Sequence, residues 1–385
     1  MRTVGTKAYG IRTPLINRGD NLVDIVVDSI LAATKDEGFE LRDHDIVGIT
    51  EAIVARAQNN YVSYKEIAMD IRDKFPSGVV GAVFPILSRN RFGTHLKGIA
   101  EGCDKLYLLL SYPSDEVGNG LFDSELLEGA GVNPYTDLLD ETTYRQKFGY
   151  NRHIFTGVDY VEYYKSISDK IEIIFANDAR RILEYTKNVL CCDIHTRHNT
   201  KRILKQAGAD IVYSLDDIMT KPIDNSGYNE EYGLLGANVN PSNRLKLFPR
   251  DCISLVEDIS KKFMTLTGKQ IEVMVYGDGA FKDPVGKIWE LADPVVCPAS
   301  TEGLKGTPNE LKLKFLLDDE ATPKDKKMQN EAVVAAIKAK AGESLGTTPR
   351  RYTDLLGSLC DLVSGSGDKG TPVVLIQGYF DNYAS

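Results

Sequence analysis

The tightest constraint on the fold is a join with no loop in it. The β-rich run Asp45-Ile46-Val47-Gly48-Ile49-Thr50 passes directly into the helix-forming Glu51-Ala52-Ile53-Val54-Ala55-Arg56-Ala57-Gln58. Strand running straight into helix is an α/β signature. The alternation returns downstream, where residues 170–175, 179–186, 188–194, 200–206 and 210–215 read strand, helix, strand, helix, strand. A βαβαβ block of this kind predicts a parallel sheet.

A chain of 385 residues, at roughly 150 per domain, holds two or three domains. Gly19-Asp20-Asn21 caps a helix whose apolar residues Leu22, Val26, Ile30 and Ala33 repeat every three or four positions. Further apolar runs at 79–87 and 105–112 flank the basic stretch Ser88-Arg89-Asn90-Arg91-Phe92-Gly93-Thr94-His95. From 114 to about 150 the chain is rich in Gly, Asp and Asn and reads as a long irregular connection. A helix at 254–266 closed by Gly268, a strand at 270–276, helices at 330–340 and 352–363 and a strand at 371–377 complete the pattern. The expected class is α/β (mixed α+β). The expected division is an N-terminal part at 1–113, an insertion carrying the βαβαβ block at 114–222, and a C-terminal part at 223–385.

Charge and cysteine content exclude several functions. Lys plus Arg is 46 against 55 Asp plus Glu, a net charge of −9, which disfavours nucleic acid or an anionic membrane as partner. No apolar run approaches the roughly 18 residues of a spanning helix, so a soluble, cytoplasmic chain is expected. The six cysteines form no Cys-x-x-Cys pair, and Cys191 and Cys192 read as packing thiols.

Several motifs fail on context. Gly365, Gly367 and Gly370 fit Gly-x-Gly-x-x-Gly, but they follow a helix and precede a strand, the reverse of a dinucleotide loop. Gly286-Lys287 is followed by Ile288 instead of Ser or Thr, with Phe281 at the first glycine position, so no P-loop exists. His195 and His198 beside Asp193 read as a solvated turn or a weak metal pair. No Gly-x-Ser-x-Gly elbow is present.

Acidic and amide side chains at strand ends carry more. Asp278 follows the strand at 270–276 between Gly277 and Gly279, where α/β enzymes place hard cations; an Asp-Gly turn gives the same spacing. Asn240, Ser242 and Asn243 form an oxygen-rich cluster that suits a cation, a phosphate or an ordinary turn, and Asp251 follows Phe248-Pro249. Arg56, on the helix after Thr50, is placed to neutralise phosphate or to be solvated.

Three stretches in the same order resemble the coenzyme F420-0:L-glutamate ligase family. They are Gly10-Ile11-Arg12-Thr13-Pro14-Leu15-Ile16 with Gly19-Asp20, then residues 45–57, then 237–243 with Leu247-Phe248-Pro249-Arg250-Asp251. Residues 275–284 and the helix and strand around Asp354 and Pro372 are similar as well, whereas nothing in 114–222 is covered. The resemblance implies a two-domain γ-glutamyl-ligase-like fold with an inserted βαβαβ subdomain, working as a homodimer. It implies an acid–amino-acid ligase in which GTP or ATP phosphorylates an acidic small-molecule acceptor, coenzyme F420-0-like or folate-like, and L-glutamate attacks the acyl phosphate. Mg2+ or Mn2+ would bridge the phosphates. By position, Asp278, Asn240 and Asp354 are the implied metal ligands, Asn240 as an amide where the family has a carboxylate. Arg56 and Lys282 are the implied catalytic cations. Nucleotide contacts are implied for Arg12, Thr50, Ser242 and Asn243, with Arg89 and Arg91 special to this longer form. Two further readings stay open: a non-catalytic nucleotide- or metal-binding relative, and a metal-dependent phosphohydrolase with water as nucleophile.

Overall fold

The computed structural model describes residues 3–153, 156–239, 244–277, 280–282, 289–291, 297–319, 322–339, 350–365 and 369–384; side chains are described for all of these but 238–239, 280–282 and 289–291. The chain divides into two compact units, one made of 1–57, 251–279 and 295–385, the other of 58–250 and 280–294. It opens in the first unit with β1 (Lys7–Ile11), α1 (Leu22–Glu37), β2 (Ile46–Thr50) and α2 (Glu51–Ala57). The second unit runs through β3 (Tyr61–Val62), α3 (Tyr64–Lys74), β4 (Val79–Val83), α4 (Phe92–Gly102), β5 (Lys105–Leu110), β6 (Leu139–Asp140), α5 (Glu141–Phe148), α6 (Tyr160–Ile167), β7 (Ile171–Phe175), β8 (Asn188–Cys191), α7 (Arg197–Gln206), β9 (Ile211–Ser214), β10 (Asn238–Val239) and β11 (Leu245–Lys246). The chain then returns with α8 (Cys252–Thr267) and β12 (Glu272–Tyr276), gives the hairpin β13 (Ala280–Lys282) and β14 (Trp289–Leu291) to the second unit, and ends in the first with β15 (Ala299–Ser300), α9 (Leu313–Leu317), α10 (Lys326–Ala339), α11 (Tyr352–Ser364) and β16 (Val373–Gln377).

The first unit is a five-stranded sheet in the order β1-β16-β2-β12-β15, in which β2 and β12 are parallel and β16 is antiparallel to both β1 and β2. Its residues alternate between two cores. Val47, Ile49, Val273, Val275, Val373 and Leu375 face Val26, Val27 and Ile30 of α1 and Val256, Ile259 and Phe263 of α8. Ile46, Met274, Tyr276, Val374 and Ile376 face Leu356 and Cys360 of α11. With both faces covered, β2 and β12 are buried almost throughout, so their sequences read as continuous apolar runs. The cap on α1 forms as its sequence predicts: the Asn21 side chain accepts from the amides of Val23 and Asp24, and Gly38 closes the helix in the left-handed conformation.

The second unit holds a six-stranded sheet in the order β6-β7-β5-β4-β8-β9, parallel except for β6. Residues on one face, among them Val80, Ala82, Leu106, Leu108, Ile173 and Cys192, join a core with α3, α4 and α6. The other face, with Val83, Leu109, Ile174, Val189 and Cys191, packs on Ile182 of the 3-10 turn Ala179–Glu184 and on Leu204 of α7. Here the expected division is corrected. The strands of 171–214 do not make a sheet of their own, because β4 and β5, which precede residue 114, lie between β7 and β8. The units part at 57/58 and 250/251, away from the expected 113/114 and 222/223. Each short parallel strand completes its hydrogen bonds only beside a neighbour, and the nearest apolar strands of matching length come from upstream. The expected helix at 179–186 is a 3-10 turn, and the connection after 114 gains α5.

Gly48 marks the closest approach of layers in the first unit, since a Cβ there would stand 2.4 Å from Cys360 Sγ and 3.3 Å from Tyr276 Cδ1. Gly48→Ala is therefore expected to destabilise the protein by about 1–3 kcal/mol through overpacking. Adding Cys360→Ala should restore most of that loss, because the sulfur is the atom in the way. Urea midpoints of the single and double variants check this, and a double variant no better than the single would refute it.

Candidate functional site

The first unit's sheet collects several of the residues singled out by sequence at one end. β1 and β2 run in the same direction because both are antiparallel to β16, and β12 is parallel to β2. Arg12, Thr50 and Gly277 thus all follow carboxyl ends on one side of the sheet, with β1 and β2 about 10 Å apart across the intervening strand. Thr50 pairs with Tyr276 in the ladder, donates its amide to Pro372 O at 3.0 Å, and its hydroxyl accepts from Ala52 N at 3.4 Å. Such an end is where open α/β sheets receive ligands.

Arg56 lies in the last turn of α2, not near a helix start. Its Nε donates to Ile16 O at 2.6 Å, and the Gly19 amide donates to Ala57 O at 2.8 Å. These bonds fix the segment after β1 along α2, so Arg56 and Arg12 belong to one strand-end neighbourhood. The turn before α8 stands at the same end, since that helix runs back against β12. Asp251 there holds a left-handed backbone, φ 54°, as the N-terminal boundary of α8. Burial pushes the Cys252 thiol up to about 12, and the carboxylates of Glu51 and Asp251 add to that rise.

Burial raises the Cys297 thiol, two residues ahead of β15, and the charge of Asp354, in the first turn of α11, adds to that rise. α11 runs antiparallel to β16, and Tyr352 in its first turn packs edge-on against Tyr379 and Phe380, beyond the finish of β16 and beside the start of β2. The Asp354 carboxylate pairs with Arg351 Nε at 3.0 Å. Asp278, Asn240, Ser242 and Asn243 lie outside the described residues, as does the side chain of Lys282 on β13. Among the described residues, no three His, Cys, Asp or Glu side chains form a metal cage.

Arg89 and Arg91 belong to the second unit, in the turn from β4 to α4. Arg91 is the boundary residue of α4 and lines a small cavity with Ser88, Phe92, His95, Cys192 and Ala237, while Arg89 is exposed. His195 and His198 are exposed, whereas Asp193 is buried and accepts from Thr196 and Thr200 hydroxyls at 2.7 and 2.6 Å.

A profile of the family described as F420-0:Gamma-glutamyl ligase matches residues 10–378. The chain belongs to that family. The matched span encloses 114–222, the stretch that the motif resemblance left uncovered. An uncharacterized protein of Methanocaldococcus jannaschii, MJ1361, is 32% identical over 111 residues, which is 29% of this chain and 34% of that protein. The chain thus spans about a third of the length of this relative. Among the described residues no helix is long and apolar enough to cross a membrane.

In this γ-glutamyl ligase family member, Glu51 joins Arg12, Thr50 and Arg56 as a candidate that its sequence motif did not single out. Glu51 is a charged residue only 8% exposed, directly at the strand-to-helix join. Its signal was a carboxylate in an otherwise apolar stretch. In the second unit, burial holds His95 down at about 4, with the charge of Arg91 pushing the same way. An unfolded histidine takes up its proton near 6.5. The unfolded chain then binds more protons between these values, so this contribution to stability is lost as pH falls from 6.5 towards 4. His95→Gln should shrink the difference in thermal midpoint between pH 7 and pH 4.5 relative to the parent chain, and an unchanged difference would contradict the buried neutral ring.

Proposed function

We propose that the chain is a metal-dependent ligase that uses GTP or ATP to join L-glutamate to an acidic small-molecule acceptor, coenzyme F420-0-like or folate-like, and works as a homodimer. The observation that carries this reading is the family match over residues 10–378. The shared strand end of Arg12, Thr50 and Arg56, from which Gly277-Asp278 continues in sequence, supports it.

In the first step a carboxylate oxygen of the acceptor bonds to the γ-phosphorus as the bond to the β–γ bridging oxygen breaks, and the nucleoside diphosphate leaves with the electron pair. The neutral amine of glutamate then adds to the acyl carbon, orthophosphate leaves, and the nitrogen loses its proton to solvent. Repulsion between carboxylate and triphosphate is the obstacle, and cations lower it. Arg12 and Arg56 supply fixed positive charge, Arg56 already oriented through its Nε bond to Ile16 O. The Thr50 hydroxyl is available to donate to a phosphate oxygen while it accepts from Ala52 N. A bound Mg2+ or Mn2+ would supply further charge at the phosphates, with Asp278 and Asn240 as its ligands. The resemblance adds Lys282 as a phosphate-neutralising cation and Ser242 and Asn243 as nucleotide contacts. Asp354 is left to its pair with Arg351.

The test is thermal stabilisation by GTP and ATP with and without Mg2+ or Mn2+, followed by phosphate release with and without L-glutamate. A nucleotide at 100 times its dissociation constant stabilises by about 2.7 kcal/mol, and the shift should need both nucleotide and metal. Phosphate release should rise with glutamate and acceptor. Glutamate-independent release would indicate a phosphohydrolase, and no metal-dependent shift a non-catalytic relative. Asp278→Asn is expected to abolish the metal-dependent shift while the ligand-free midpoint stays nearly constant; undiminished binding would remove Asp278 from the site. Asn240→Asp is expected to tighten metal binding, since a carboxylate holds a hard cation better than an amide, and indifference would make the position a plain turn.

A further inference from the structure

The parallel sheet of the second unit contains a topological switch. From β4 the chain crosses through α4 to β5 and on to β7 on one side, then jumps back to β8 on the other side of β4 and proceeds to β9. Connections from the adjacent strands β4 and β8 therefore leave in opposite directions, which opens a crevice outside their carboxyl ends. Across this crevice lies the turn after β5. Asp115 Oδ2 accepts from Leu87 N at 2.8 Å, on the β4 side. The next residue, Glu116, reaches the β8 side. Its Oε1 accepts from the amides of Ile194 and His195 at 2.6 and 3.2 Å, and its Oε2 accepts from the Thr196 amide at 3.2 Å and stands 3.0 Å from the Thr196 hydroxyl, which also lies 2.7 Å from Asp193 Oδ2.

Three amides on one carboxylate, with the single Thr196 hydroxyl proton shared between Glu116 and Asp193, make an anion cradle just ahead of the ten-residue α7. The helix does not cap itself, because the Thr196 hydroxyl turns to Glu116 and to Asp193 Oδ2. Two buried acceptors near the cradle lack a donor among the described residues, which points to a ligand that brings a hydroxyl hydrogen. Asp193, fully buried, leaves Oδ1 without a hydrogen-bond partner among the described residues. His95, 3% exposed, donates Nε2–H to Ala237 O at 3.1 Å, which leaves Nδ1 carrying a lone pair and also unpartnered among the described residues. Buried polar atoms are rarely left so. His95 lines the cavity between the two strand ends with Ser88, Arg91 and Ile194; its volume of about 20 Å³ admits one water at most while Glu116 is seated.

We propose that this crevice is a binding site for a phosphate monoester that carries a hydroxyl group, and that Glu116 occupies the phosphate position when the ligand is absent. The phosphate would replace the Glu116 carboxylate on the amides of Ile194, His195 and Thr196, and a ligand hydroxyl would donate to His95 Nδ1. A phosphate suits the place better than a second carboxylate because it brings a third non-bridging oxygen to the crevice that Arg91 also borders. The site stands on the second unit alone and does not rest on the ligase reading.

The experiment uses the full chain with inorganic phosphate and ribose 5-phosphate as probes, read by calorimetry. Glu116→Ala and the size-preserving Glu116→Gln should each bind ribose 5-phosphate about tenfold or more tighter than the parent chain, a shift of about 1.4 kcal/mol. In the same backgrounds, His95→Gln should reduce the preference for ribose 5-phosphate over inorganic phosphate, because the amide cannot reproduce the ring's lone pair at that point. Should Glu116→Ala fail to fold, Glu116→Gln decides, together with slowed amide exchange at residues 194–196 on adding ribose 5-phosphate to the parent chain. If neither variant gains affinity and exchange is unchanged, Glu116 is only a helix cap and the proposal falls. None of these readouts involves ligase turnover, so their failure is distinguishable from failure of the activity assay.

Discussion

Everything in the first unit hangs on the parallel ladder between β2 and β12, which pairs Ile46 with Glu272 and Thr50 with Tyr276 across more than two hundred residues of chain. Closing so long a loop costs only slowly more than closing a short one, since the entropy grows with the logarithm of length. What offsets it is burial on both faces: Val47, Ile49, Val273 and Val275 against α1 and α8, Ile46, Met274 and Tyr276 against α11. Because the strands are parallel, their carboxyl ends coincide, and the short turns that leave them must present polar residues at one edge. Arg12, Thr50 and the approach to Asp278 share an end for that reason.

The second unit repeats the solution on a larger scale. Five parallel strands with cores on both faces again put their strand-to-helix turns on one side, and the reversal of winding between β4 and β8 parts those turns into a crevice. Gly81, at the centre of β4, lets the 3-10 turn approach until a Cβ would stand 2.4 Å from Ile182 Cγ1. A wider residue would push that layer off the sheet. Three of the buried polar side chains here, Asp115, Asp193 and His95, lie near the strand ends, where the ladder of hydrogen bonds stops and backbone amides need partners.

Much of this was readable from the chain in order. Leu22, Val26 and Ile30 with the Asn21 cap specify α1, Gly268 closes α8, and the apolar runs at 46–49 and 273–276 specify buried strands. Arg12, Thr50 and Arg56 were legible as candidates because each ends or follows such a strand or sits on the helix leaving it. Glu51 was not, because a glutamate opening a helix is also the commonest way to complement the helix dipole. The direction of α11 relative to the sheet is absent from local periodicity: the same apolar stripe fits the helix running either way, and the packing of Tyr352 on Tyr379 and Phe380 fixes it.

The sequence by itself determined the class, the main strands of both large sheets, the helices α1, α2, α7, α8, α10 and α11, and the family, because these depend on periodicity and motifs within a few tens of residues. The tertiary structure alone decided which strands are neighbours. A short apolar strand states that it must be covered and paired but not by what, so the grouping of 79–110 with 171–214 in one sheet, and the seating of Glu116 on the amides of 194–196, come from shape and the demand that every buried backbone group find a partner.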